Sequence, residues 1–155
     1  MEFTLTLTAQ DMALLLPEFF MTVLLTAVLI LDFTFRRMNK NILAYLSIAG
    51  MIGITALLVG YFISGTTGTL FQKMYVLDPL AIVFKIFILC TTVWVFLISI
   101  NYLKKIPVFK GEYYFLILLS VLGMMLMASA NDLLTLFITV EFSTFNFYVL
   151  VAYLR

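Results

Sequence analysis

Five apolar runs, each close to twenty residues long, leave this chain little choice but to cross a membrane. A helix rises 1.5 Å per residue, so about 20 apolar residues span the hydrocarbon layer of a bilayer. Runs of that length lie at approximately 14–35, 42–63, 80–102, 113–130 and 133–153. Within lipid every backbone N–H and C=O must find its partner inside the protein, and a helix supplies those partners itself. The sequence therefore predicts an all-α integral membrane fold with five transmembrane helices. It reads as a single membrane domain over 1–155, with no soluble domain. Composition agrees, with 65% of residues hydrophobic and 11% charged, against about a quarter charged in soluble domains.

Residue types exclude several function classes. A net charge of +1 gives no basis for binding nucleic acid, and with no histidine and a single cysteine, Cys90, a haem, a zinc site or an internal disulfide lacks ligands. No Gly-rich phosphate loop is present. The opening MEFTLTLTAQD has no basic stretch and no small-residue cleavage site after it, so the first run reads as a retained helix.

Basic residues set an expected orientation. Arg36, Arg37 and Lys40 fall between the first and second runs, Lys104, Lys105 and Lys110 between the third and fourth, and Arg155 after the fifth. If the helices alternate, all of these share one side, against Lys73 alone in the opposite loops. By the positive-inside rule the basic side is cytoplasmic, or its organellar equivalent, and the N-terminus is outside.

The few polar residues each have a local explanation. In LLPEFF, Pro17 suits a helix's first turn and Glu18 meets the positive helix end, with a part in a polar pathway as the alternative. Asp32 precedes Arg36 by four residues, the spacing of a local ion pair. Ala49, Gly53, Ala56 and Gly60 form a small-residue stripe that predicts a packed helix face. Residues 70–77 lean towards a short strand, and Pro79 opens the third helix. Lys85 lies about 7–8 Å below the outer end of that helix. It either snorkels to the interface or belongs to a polar axis. Cys90 and Trp94 read as packing residues, and Met124, Met125 and Met127 as adaptable packing.

Glu141 is the functional suspect. It sits near the middle of the fifth run, where a charged side chain costs roughly 2.5–3.5 kcal/mol on insertion scales. At 100° per residue Glu141, Thr144 and Tyr148 share one face, while Thr135, Thr139, Ser143 and Asn146 share the opposite one. Such a helix is expected to have hydrogen-bonding protein on both flanks. Desolvation favours a neutral carboxyl and a nearby cation favours the charged form. A glutamate whose cationic partner advances and retreats therefore takes up and releases a proton. The competing reading is a static carboxyl hydrogen-bonded to a neighbouring helix. By helix rise Glu141 lies about 12–14 Å deep and Lys85 about 7–8 Å, so its cation is expected from elsewhere. Lys85, Asp132, Thr144 and Tyr148 remain candidates for a polar pathway, with Asn131 or Asp132 capping the fifth helix.

The run GEYYFLILLSVLGMMLMASANDLLTLFITVE, ending at Glu141, strongly resembles the antiporter-like membrane subunit N of proton-pumping NADH:quinone oxidoreductase, respiratory complex I. That subunit has counterparts in the mitochondrial enzyme, as its subunit 2, and in the plastid enzyme. LLPEFF with Asp32, and LDPLAIVFKIF, fit the same family, whose members run to about fourteen helices. The resemblance implies that Glu141 matches the family's fifth-helix glutamate, which pairs with a lysine on the seventh helix in proton translocation. Lys85 and Asp132 match common family residues. Phe-Ser-Thr-Phe-Asn-Phe after Glu141 departs from the family's leucine- and serine-rich continuation.

On this resemblance the chain is the N-terminal portion of a translocase subunit that performs no redox step itself. NADH, flavin, iron–sulfur clusters and quinone would be held by other subunits. Its partners would be other membrane subunits of complex I, above all neighbouring antiporter-like ones, together with lipid. Its membrane would be the bacterial plasma membrane, or an organellar energy-transducing membrane. The alternatives are a structural or assembly subunit with a static Glu141, or a piece of a related cation/proton antiporter.

Overall fold

The computed structural model describes residues 9–34, 41–103 and 110–153. A short helix α1 (Ala9–Leu14) leads into α2 (Leu16–Thr34), followed by α3 (Asn41–Ser64), β1 (Gly68–Leu70), β2 (Tyr75–Leu77), α4 (Pro79–Leu103), α5 (Lys110–Ala128) and α6 (Leu133–Tyr153). Five of these helices, α2 to α6, are long and apolar enough to cross a membrane. Apart from Lys73 and Lys110, the basic residues behind the expected orientation lie outside the described residues, as does Arg36, the expected partner of Asp32.

Proline and aspartate place the helix starts. Pro17 has no N–H to donate to Ala13, four residues back, and the helix is interrupted just before it. The carbonyl so released does not go unpaired, because Tyr61 of α3 donates to it at 2.7 Å. Asp78 Oδ1 accepts from the N–H of Ala81 at 2.7 Å and caps α4. Asp132 does the same for Thr135 at the start of α6, at 3.1 Å. Within the spans, Ser and Thr hydroxyls such as those of Ser47, Thr55, Thr92 and Ser120 donate to their own i−4 carbonyls, so they need no neighbouring helix.

α5 is the centre of the bundle and packs against α2, α4 and α6, with α2–α3 and α3–α4 closing the far side. Half of the α5 span is buried, against 17% of α6, so α6 is the outlying helix. The α5–α6 pairing is the most extensive, as expected of neighbours joined by a tight turn. Gly123 makes that pairing close: a Cβ there would stand 2.4 Å from Ser143 Oγ and 2.8 Å from a Phe142 ring carbon. At its other end, Gly111 of α5 lies directly against the Asp32 carboxylate of α2.

Four local expectations are corrected. The stripe Ala49, Gly53, Ala56, Gly60 is exposed, and a Cβ on Gly53 or Gly60 would meet nothing within 4 Å. On α3 the close contact is at Gly50, against Leu24. Cys90 and Trp94 also face outward rather than into the bundle. The stretch 70–77 is not one strand but the bend and second arm of a hairpin. There Gly68–Leu70 pairs antiparallel with Tyr75–Leu77, across a bend whose Phe71, Gln72 and Lys73 all have positive φ.

Candidate functional site

Glu141 is the eighth residue after Leu133, about 12 Å along α6. It is exposed, and no described residue pairs with its carboxylate. The two polar faces of α6 part company in the structure. Thr139, Ser143 and Asn146 are buried, on the side where Ser143 meets Gly123 of α5. Thr139 and Asn146 satisfy themselves on the backbone carbonyls of Thr135 and Phe142. Glu141 and Tyr148, the latter 72% exposed, are on the open side. Thr144 is half-buried and bonds back to Val140 and Glu141. The sequence predicts protein on both flanks of this helix; the described residues cover only one.

Asp132 caps α6 and takes no part in a cluster with Glu141. Its hydrogen bonds with Thr135, side chain first and backbone second, hold its carboxyl below the usual range, so it is ionised at neutral pH.

Lys85 does not snorkel. Its side chain is fully buried, and Nζ donates to Glu18 Oε1 at 2.5 Å and to the Tyr75 hydroxyl at 2.9 Å. The Tyr75 hydroxyl in turn donates to Glu18 Oε1 at 2.9 Å. Burial first, and the Glu18 charge second, hold the Tyr75 phenol well above its ordinary range, which keeps it a donor. Lys85 Nζ is 4.9 Å from the Tyr75 ring centroid and 2.9 Å from its hydroxyl, so it sits at the hydroxyl end of the ring and not over its face. A lone buried ammonium would cost several kcal/mol; here a carboxylate and a hydroxyl partner it. Lys85 is thus committed to Glu18 and is no partner of Glu141.

The Glu18–Lys85–Tyr75 cluster is not legible in the sequence, where Glu18 has a local explanation at a helix start, Lys85 is open between snorkelling and a polar axis, and Tyr75 is one residue of a strand-like stretch. A signal is present nonetheless. With alternating spans, Glu18 and Lys85 both fall near the same end of the bundle, and they carry opposite charges. Among the described residues, no group of His, Cys, Asp and Glu is arranged to hold a metal ion.

No protein-family model matches the chain. Curated relatives do. Over 111 residues, 72% of this chain, it is 40% identical to the NADH-quinone oxidoreductase subunit N of Heliobacterium modesticaldum. Over 92% of the chain it is 37% identical to the subunit N of Desulfitobacterium hafniense. Over its whole length it is 31% identical to the chloroplastic NAD(P)H-quinone oxidoreductase subunit 2 of Chlorokybus atmophyticus. The chain spans only 23%, 29% and 30% of these relatives' own lengths. Among solved structures, a chain of respiratory complex I from Thermus thermophilus superposes with a TM-score of 0.72 over 90% of this chain and 29% of that one, and at 22% identity this speaks for the fold alone. With subunit N relatives aligned along nearly all of a five-span helical chain, this membrane protein belongs to the NADH-quinone oxidoreductase subunit N family.

Proposed function

We propose that the chain forms part of a membrane-arm subunit that moves protons in step with quinone reduction, with Glu141 as its proton-handling carboxylate. The observation that carries this reading is the position of Glu141: mid-span, on the side of α6 that no other described helix covers. A carboxylate left against lipid there would carry the insertion cost given above, so a protein surface bearing a hydrogen-bonding or cationic group is its natural neighbour. That neighbour is a helix beyond the described residues or one from an adjacent antiporter-like subunit. A cation 4 Å from a carboxylate stabilises its charged form by about 4 kcal/mol at an effective dielectric of about 20, and at 8 Å by about 2 kcal/mol. Movement over that range changes the carboxyl's proton affinity about thirtyfold, which suffices to load and unload a proton.

In this reading NADH, flavin, iron–sulfur clusters and quinone belong to other subunits, and the chain contributes no redox group. The other membrane subunits of complex I are its partners, with lipid around them. The side of the membrane that carries the basic residues Arg36, Arg37, Lys40, Lys104 and Lys105 is the cytoplasm of a bacterial cell or the equivalent organellar compartment.

The test is Glu141→Gln in the assembled complex, with proton uptake, NADH oxidation and complex abundance measured together. The expected result is fewer protons moved per NADH at near-normal abundance. Unchanged proton stoichiometry with lowered abundance would overturn the proposal and make Glu141 a packing residue.

A further inference from the structure

The outer hairpin is bonded on two sides. Towards the helices, Tyr75 closes the cluster with Glu18 of α2 and Lys85 of α4, and its hydroxyl lies 3.3 Å from the carbonyl of Leu14. Leu70 and Leu77 are buried beside it, and Gly68 lies so close to Leu14 that a Cβ would stand 2.4 Å from its side chain. Towards the α5–α6 turn, Val76 N donates to Ser129 O at 2.9 Å, Asn131 N to Met74 O at 3.0 Å, and the Asn131 side chain to Lys73 O at 2.9 Å. Tyr75 itself bridges to Ala130. One residue therefore belongs both to the buried ion pair and to the turn from which α6 starts.

α6 needs such an anchor. It is the least buried span and packs chiefly on α5. In lipid, helix contacts are held by close packing and hydrogen bonds, without the hydrophobic drive that water supplies. Below its turn, α6 packs closely on α5 at the Gly123 notch. The pair is also sealed and in direct contact, with Lys85 fully buried and Glu18 only 6% exposed.

We infer that Glu18, Lys85 and Tyr75 are positioning residues: through the hairpin they hold the start of α6, and hence Glu141, at a fixed height and rotation. This inference rests on Glu141 being the proton-handling carboxylate.

The test uses the assembled complex carrying Lys73→Cys and Asn131→Cys, a background that gives up the Asn131 side-chain bond and keeps the backbone bonds from Val76 N to Ser129 O and from Asn131 N to Met74 O, with Cys90→Ala to remove the exposed native thiol. A short thiol-specific bifunctional reagent bridges the pair, and mass spectrometry of the digested subunit follows the bridging rate. Two changes are then added separately. Tyr75→Phe removes the hydroxyl and keeps the ring, while Glu18→Leu with Lys85→Met removes both charges, so that neither is left buried alone. Each is expected to slow bridging and to lower the protons moved per NADH at least twofold. Bridging installed beforehand is expected to restore that stoichiometry. Unaltered bridging would overturn the inference. So would a lost stoichiometry that the bridge fails to restore, which would give the cluster a chemical part instead. If Glu141→Gln proves silent, the reading of Glu141 falls, while the bridging rate still decides whether the cluster holds the turn.

Discussion

Removing Glu18 and Lys85 singly and together measures what the buried pair contributes. In Lys85→Met the Glu18 carboxylate keeps only the Tyr75 hydroxyl, and its second oxygen, Oε2, already has no partner. In Glu18→Leu a fully buried ammonium keeps only Tyr75. Breaking one side of a buried pair costs about 3–5 kcal/mol, whereas replacing both partners with apolar groups of similar volume is near neutral. Each single change is therefore expected to destabilise by about 3 kcal/mol or more. The double change should cost much less than the sum, leaving a coupling energy of at least about 2 kcal/mol. Equilibrium unfolding in mixed micelles, titrated with a denaturing detergent and followed by circular dichroism, reads all of these states. Single changes below about 1 kcal/mol, the size expected of an exposed pair, would refute a sealed site and restore snorkelling. Strictly additive changes would refute the pairing itself.

Two glycines of one chain should respond oppositely. Gly123→Ala drives a methyl against Ser143 and Phe142 and is expected to destabilise by about 1–3 kcal/mol through overpacking. Gly53→Ala meets nothing and should be neutral or stabilising by up to about 1 kcal/mol, from helix propensity; the same titration compares them. Asp132 should make the start of α6 acid-sensitive. Its folded-state carboxyl lies below the ordinary value of 3.8, so its stabilisation is complete above that pH and is lost as the pH falls through the lower, folded value. Hydrogen exchange at Thr135 and Leu136 should rise over that acid window relative to the rest of α6, and an Asp132→Ala protein should show no such step.

What the sequence determined by itself is what depends on local composition. Run lengths and apolarity specify five spans, because a helix in lipid satisfies its own backbone whatever surrounds it. The one carboxylate near the middle of the fifth run is likewise visible from its position alone. Pairing is different, because it depends on how each helix is rotated about its axis. α3 and α4 are apolar on nearly every side, so no hydrophobic stripe in them says which side meets protein. That is why the Ala49–Gly60 stripe reads as a packed face and lies open, while Gly50 makes the contact. It is also why the sequence leaves Lys85 open between snorkelling and a polar axis. Its partner Glu18 is 67 positions away in the chain, and only the packing of α2 beside the bundle, roofed by the hairpin, brings the two together. The same holds for α6. Its two polar faces can be read from the sequence, but which of them meets α5 was decided in three dimensions. The notch at Gly123 admits Ser143 and leaves Glu141 turned away from the bundle.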